Sequence, residues 1–202
     1  MNATELKQFY EKLYFMELES REKVQGRLQL SLTLLLAVIG AVVFLFQNFD
    51  YQVGAWNATR STFVFFLCVG IALLLVSMYF FVRAFYNNSY YLLPDSRKTA
   101  DYHDELETTY REFEHRDKLV EAAMDQYLTT YYIEYAAYNT RTNDRRAAYV
   151  HLCNGALVGS AVLFIAAFLT FYFGDLDKSK IKSATEVFIT KPVDVKLQEN
   201  RK

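Results

Sequence analysis

Three stretches of this chain contain no Asp, Glu, Lys or Arg and are long enough to cross a bilayer: "LQLSLTLLLAVIGAVVFLF" (Leu28 to Phe46), "TFVFFLCVGIALLLVSMYFFV" (Thr62 to Val82) and "AAYVHLCNGALVGSAVLFIAAFLTFYF" (Ala147 to Phe173). A hydrocarbon core about 30 Å thick needs about 20 such residues as a helix, and only closed backbone hydrogen bonding survives there. The first run holds thirteen Leu, Ile, Val or Phe residues, which sum to about −4 to −8 kcal/mol of insertion free energy, with no central charge to oppose them. The runs also explain why a chain that is 52% hydrophobic has a mean hydropathy of zero, since apolar blocks alternate with charged ones. Buried helices of a water-soluble core and a cleaved signal peptide both fit poorly, the latter because the first run is too long and lacks a small-residue cleavage site. The expected fold is an all-α membrane protein with three transmembrane helices, a cytoplasmic helical hairpin or bundle with coiled-coil character, and a short strand-like C-terminal tail.

Lys and Arg counts orient the spans. Five precede the first run, Arg60 alone separates the first from the second, nine lie between the second and third, and seven follow the third. The positive-inside rule then puts the N-terminus and residues 87–146 in the cytoplasm and the 49–61 loop outside. The expected order is a juxtamembrane helix (1–27), spans at 28–48, 62–86 and 147–174, and an external tail (175–202). Lysines in "DKSKIK" lie close to the last boundary, so a re-entrant or surface-lying third segment is the alternative. Phe49, Tyr51 and Trp56, the aromatic cluster from Tyr79 to Tyr91, and Phe171 to Phe173 mark the interfacial edges.

Within the third run, "NGALVGS" places Gly155 and Gly159 four residues apart. Each glycine costs a helix about 1 kcal/mol relative to alanine. In lipid, where no hydrophobic force drives helices together, small residues at i and i+4 return that cost by letting backbones approach. Ser160 and Asn154 flank the groove with hydrogen-bonding groups. Two destinations are open: a second copy of the chain, giving a homo-oligomer, or an internal neighbour such as Gly40 and Ala41 of the first span or Gly70 of the second.

The segment from Thr99 to Leu152 spaces Leu106, Tyr110, Phe113, Asp117, Val120, Met124, Tyr127, Tyr131, Glu134 and Tyr138 alternately four and three apart, as in a coiled-coil seam. Polar interruptions and tyrosine in place of leucine favour a hairpin or bundle over a long straight dimer. "YNTRTND" (Tyr138 to Asp144) collects poor helix formers and predicts a break, after which "DRRAAYVHLCNG" runs directly into the third span. Tyr110, Phe113, Tyr127, Tyr131, Tyr135 and Tyr138 form the expected interaction surface for a cytoplasmic protein partner or sensor. Upstream, Asn2 and Glu5 have capping-box spacing. Leu6, Phe9, Leu13 and Met16 form an apolar stripe, Gly26 offers a hinge, and near-neutral charge favours packing on protein over an anionic membrane surface.

Chemistry is sparse. Glu112 and His115 form one E-x-x-H, with His103 and Glu107 nearby, but a di-iron bundle needs two such motifs plus two further inward carboxylates; a solvated charged face is the better reading. His151, at the inner boundary of the third span, is a candidate gating group. Cys68 and Cys153 have no redox or zinc spacing, no nucleotide or hydrolase fingerprint is present, and a net charge of −1 with interleaved signs argues against nucleic acid. No catalytic, metal or cofactor site is expected, and the protein is not read as an enzyme. A coupled carrier is disfavoured by the absence of intramembrane carboxylates or inverted repeats. A pore formed by several copies would be lined by Ser31, Thr33, Ser160 and Thr170. In the tail, "SATEVFITKPVDVKLQ" (Ser183 to Gln198) alternates apolar and polar residues around Pro192 as one or two short strands, which would pair with another chain, a partner or the outer loop, or stay disordered.

"FYEKLYFMELESREKVQGRLQLSLTLLLAVIGAVVFLF" (Phe9 to Phe46) resembles the opening of small bacterial membrane proteins of the SLATT type, in which a charged juxtamembrane helix precedes a two-span hairpin and a cytoplasmic helical part. "NDRRAAYVHLCNGALVGSAVLFIAAF" (Asn143 to Phe168) resembles a helix-into-membrane element of other bacterial proteins. The likeness is architectural, over roughly residues 8 to 175, and the third span and strand-like tail depart from the two-span pattern. It implies a bacterial inner-membrane location and a membrane-perturbing or pore-forming effector role in antiphage defence, gated through the cytoplasmic helices. The alternative is a non-conducting scaffold or anchor that recruits a cytoplasmic partner.

Overall fold

The computed structural model describes residues 3–51 and 57–178; the Asn2 cap, Trp56 and the strand-like tail lie outside them. The described residues form four helices: α1 (Ala3–Asn48), α2 (Ala58–Phe85), α3 (Ser96–Thr109) and α4 (Arg116–Phe173). Three of these, α1, α2 and α4, are long and apolar enough to span a membrane. At 1.5 Å per residue, the 58 residues of α4 extend about 87 Å and the 46 of α1 about 69 Å. Both therefore reach far beyond the roughly 30 Å of a hydrocarbon core, and the bundle divides into an apolar half and a polar half.

Helix α4 is the central element, packed along both α1 and α2, which touch each other little. Its partners on α1 advance in step with it: Tyr14 lies against Tyr132, Gln25 meets Arg146 and Ser31 meets Asn154, so the two helices run parallel. Helix α2 runs antiparallel, with Ala84 at Arg146, Ser77 at Cys153 and Phe63 at Phe171. At the far end of the apolar half, Phe49 and Asp177 form an isolated antiparallel bridge, and the Asp50 N–H donates to the Leu176 carbonyl at 3.0 Å.

The buried positions of α4 from Tyr132 onward are Tyr132, Ala136, Asn139, Asn143, Arg146, Val150, Cys153, Leu157, Ser160, Phe164, Ala167 and Phe171, with Thr142 beside them. Their spacing alternates four and three without a fault, which is the packing repeat of left-handed coiled coils. On α1, buried Val24, Leu28, Ser31, Leu35, Val42 and Leu45, with Phe49 just past its end, follow the same repeat once half-buried Val38 is included. On α2, Phe63, Leu67, Gly70, Leu74, Ser77 and Ala84 do so too once half-buried Phe81 is included. All three long helices thus present a 3.5-residue seam to one another.

Four sequence expectations are corrected here. Helix α4 runs unbroken through Tyr138 to Asp144, because Asn139 and Asn143 are turned inward and their amides find partners across the bundle. The break falls instead at Tyr110 to His115, where turns separate α3 from α4 and His115 adopts φ 69°. The expected seam from Leu106 to Tyr138 therefore does not lie on one helix. Helix α1 passes through Gly26 without a hinge. Finally, α1 does pack on protein, but through Tyr14, with Tyr10, Leu13 and Leu18 around it; Leu6, Phe9 and Met16 of the expected stripe stay exposed.

Candidate functional site at the helix junction

The residues between α2 and α3 have no regular structure, so their backbone groups need partners from elsewhere. Helix α2 ends where the Tyr86 N–H donates to the Val82 carbonyl at 2.8 Å, and Asn87 follows with φ 59°, a left-handed conformation that asparagine tolerates. The carbonyl of Ala84, at the negative end of the α2 dipole, accepts from Asn88 Nδ2 and from Arg146 Nε, each at 3.0 Å. Further along, Asn139 pairs with the Tyr91 backbone as a second strand would: its Oδ1 accepts from the Tyr91 N–H and its Nδ2 donates to the Tyr91 carbonyl, both at 3.0 Å. The Leu93 N–H donates to the Tyr14 hydroxyl at 3.1 Å. An extended segment is thereby laid across α1 and α4 and fixed by their side chains.

Arg146 is the centre of this junction. It is only 4% exposed, and its guanidinium reaches three elements: Nε to Ala84 O on α2, Nη1 to the Tyr90 hydroxyl at 2.7 Å, and Nη2 to Gln25 Oε1 on α1 at 3.0 Å. The Tyr90 hydroxyl itself donates a hydrogen bond to Asn143 Oδ1 at 2.7 Å. Asn143 Nδ2 in turn donates to both the carbonyl and the carboxylate of Glu17, each at 2.8 Å. The result is one directed chain from a buried cation to an anion, in which each bond polarises the next. Arg21 adds a cation over the Tyr90 ring at 4.9 Å. No buried side-chain polar atom among the described residues lacks a partner, so the junction is fully satisfied.

A tyrosine ladder braces the polar half. Tyr102 of α3 stacks on Tyr127 at 4.3 Å, and contacts then step along α4 through Tyr131 and Tyr135 to Tyr91, which stacks on Tyr138 at 4.1 Å. Packing and the Tyr131 hydroxyl push the Tyr127 phenol up to about 12, and burial raises Tyr135 and Tyr132 as well. Of the expected interaction surface, then, Tyr127, Tyr131, Tyr135 and Tyr138 make contacts within the chain. Tyr110 and Phe113 lie in the turn before α4, edge to face at 5.7 Å, with Phe113 exposed. That turn also takes Glu112 and His115 out of helix, and no cluster of three or more metal-ligating side chains occurs among the described residues.

In the apolar half, Ser160 is buried and bonds its own helix through the Leu157 carbonyl at 2.8 Å, and Asn154 Oδ1 accepts from Ser31 at 2.7 Å. Ser31 and Ser160 are therefore closed into the bundle and cannot line a pore in this arrangement. Gly159 lies half-buried beside Leu73, whereas Gly155 is exposed with nothing within 4 Å of its side-chain position. His151 is also exposed. Gly159 is thus at an interhelix contact, and Gly70 is at a closer one, its missing side chain leaving room for the Phe164 ring. Arg146, Tyr14 and Gln25 were not singled out from sequence, Tyr90 was read only as an interfacial aromatic, and Asn139 and Asn143 were read as part of a break, although Asn139, Asn143 and Arg146 continue the seam of the third apolar run at spacings of four and three. No family model, curated protein or solved structure matches the chain.

Proposed function

We propose that the chain is a self-assembling membrane protein that acts as a membrane-perturbing or pore-forming effector, controlled from its cytoplasmic polar half. The observation that carries the reading is the seam of α4, which continues without fault from Tyr132 to Phe171. A rigid helix clamped at Arg146 cannot absorb a displacement of its polar half locally, so movement there is delivered to the third apolar run. About 28% of each apolar window is buried within the chain, which leaves wide faces for lipid or for further copies. Gly155, with Val158, Val162 and Ile165 on the same exposed side of α4, offers the flattest seat for a second copy. The resemblance to SLATT-type proteins supports reading such an effector as part of bacterial defence.

The exposed Leu6, Phe9, Phe15 and Met16 on α1 favour a second reading, in which the protein is a non-conducting scaffold holding a cytoplasmic partner on that face. Induced expression with a membrane-potential dye separates the two. Depolarisation on triggering fits the effector, and unchanged potential with retained partner binding fits the scaffold. Replacing Gly155 and Gly159 by Leu removes oligomers from detergent if that face is the seat of assembly, and leaves them intact if it is not.

A further inference from the structure

The ends of the second and third apolar runs come together at a small basic cavity distinct from the buried Arg146 chain. It has a volume of about 220 Å³ and is lined by Val82, Arg83, Tyr86 and Asn88 on one side and Arg145 and Tyr149 on the other, with no acidic residue in its wall. Arg83 Nη2 donates to the Tyr149 hydroxyl at 3.2 Å, and Arg145 Nη2 donates to Asn88 Oδ1 at 3.4 Å. Both acceptors are neutral and both bonds are long. A guanidinium fork is matched to carboxylate or phosphate oxygens and makes shorter, stronger bonds to them. Two exposed arginines from different helices thus face one opening with their best acceptors absent, and a tyrosine hydroxyl and an asparagine amide stand ready to complete the coordination.

Position says which anion. Arg83 follows the last residue of the second apolar run and Arg145 lies two residues before the third. The cavity therefore opens at the headgroup level of a bilayer crossed by these runs. Val82 and Tyr86, 55% and 74% exposed, form an apolar and aromatic lip on the lipid side, with Tyr79 one turn below. The volume falls short of the roughly 300–1,000 Å³ of sites that enclose a whole drug-sized ligand. It suits a headgroup whose tails remain outside. We infer that this cavity binds the phosphate of an anionic phospholipid, held between Arg83 and Arg145 with its acyl chains along Val82 and Tyr79. Basic pockets between membrane helices take such headgroups for the same reason. The inference needs the helices to span a membrane and is independent of whether the assembly conducts.

The test is native mass spectrometry of the full-length protein in detergent, titrated with phosphatidylglycerol or phosphatidylcholine. Retention of phosphatidylglycerol over phosphatidylcholine is expected. The double variant Arg83→Gln, Arg145→Gln should weaken phosphatidylglycerol binding about thirtyfold, each arginine at a membrane surface accounting for about fivefold. Arg97→Gln with Arg111→Gln, which removes the same charge elsewhere, should leave binding unchanged. Should the double variant not purify, each single variant is read at fivefold. Equal retention of the two lipids, an unaltered double variant, or an equal loss in the control pair would overturn the assignment. So would inorganic phosphate that displaces the lipid at equal concentration, since the site would then answer to a soluble anion.

Discussion

Helix α4 solves the same packing problem twice, with opposite chemistry. From Val150 to Phe171 its seam is filled mainly by shape: the Phe164 ring sits over Gly70, Ala167 and Cys153 are fully buried, Ser160 is satisfied by its own helix, and cross-helix bonds enter at the junction end, from Ser77 to the Cys153 carbonyl and from Ser31 to Asn154. From Tyr132 to Arg146 the same seam is filled by Asn139, Asn143 and Arg146, whose bonds go to other elements. Against lipid, apolar side chains gain nothing by burial against one another, so close fit is the main source of association. At the junction, each amide and guanidinium has one set of acceptors at one depth along the helix. A shape-filled seam specifies depth mostly through fit, whereas the polar seam also fixes by hydrogen bonds which residue of α1 and of the 86–93 segment lies opposite which residue of α4. The two stretches therefore divide the work, with the apolar one supplying contact and the polar one supplying register.

That division is broken most severely at Arg146. Arg146→Met keeps an unbranched apolar stem but removes three donors at once, leaving the Gln25 and Tyr90 oxygens and half of the Ala84 pairing without them. A loss of about 3 kcal/mol is expected, at roughly 1–3 kcal/mol for each buried acceptor left unmade. The thermal midpoint in detergent reads it. A variant as stable as the parent would show that the junction contributes no register.

Asn139→Ala is the sharper comparison. Helix propensity alone says the change stabilises α4, since alanine is the better helix former. The structure says the reverse, because the Tyr91 N–H and carbonyl both lose their partner inside the protein. A net loss of about 2 kcal/mol is expected, seen as a lower melting temperature together with faster proteolysis between residues 86 and 95. Stabilisation would mean that the extended segment is held by its tyrosine stacking and not by the asparagine.

In the apolar stretch the matching pair is Gly70→Ala and Gly155→Ala. A methyl at Gly70 would lie 2.9 Å from the Phe164 ring, which is packed between helices, so about 1–2 kcal/mol is lost to overpacking. A methyl at Gly155 meets nothing within 4 Å and is neutral or stabilising by up to about 1 kcal/mol in the single chain. The difference between the two melting temperatures reads fit directly. If Gly155→Ala is instead the more damaging, and only at protein concentrations where oligomers form, that face is in use between copies.

The three apolar runs were legible in the sequence because membrane insertion depends on local composition, and α1, α2 and α4 each contain one. The register of the polar half was not, and the error has a definite form. The seam drawn through Tyr127, Tyr131, Glu134 and Tyr138 chose the large apolar and aromatic residues, while the buried seam is Tyr132, Ala136, Asn139, Asn143 and Arg146. Half-buried tyrosines pass for core in an apolar reading, and asparagines pass for helix breakers. Only partners distant in sequence, Tyr91 for Asn139 and Glu17 for Asn143, reveal that the polar residues face inward. Extending the third run's repeat backward, from Val150 through Arg146 and Asn143 to Asn139, would have found the phase. Of the two glycines that drew notice by their spacing, Gly159 faces Leu73 of α2 and Gly155 meets nothing, while Gly70, named only as a possible neighbour, makes a closer contact because a phenylalanine ring of another helix lies over it.

The smallest effect separates the two stretches by pH. The phenols of Tyr127, Tyr132 and Tyr135 are all raised above the ordinary value of 10, Tyr127 to about 12, with burial as the first cause in each. In the unfolded chain these groups ionise near pH 10, while in the folded one they hold their protons longer. The stabilisation they contribute is therefore complete below pH 10 and lost as the pH climbs from 10 toward 12. Since the rings are partly open to water, the loss is less than about 1 kcal/mol at about pH 11. The buried seam from Val150 to Phe171 contains no phenol, so the packing of that stretch does not rest on one. Tyrosinate absorbance and near-ultraviolet circular dichroism should then report loosening of the ladder while far-ultraviolet helicity stays high, and Tyr127→Phe should reduce the change. A uniform loss of helicity over the same interval would mean that the two stretches of α4 melt as one unit, with the polar register and the apolar fit inseparable.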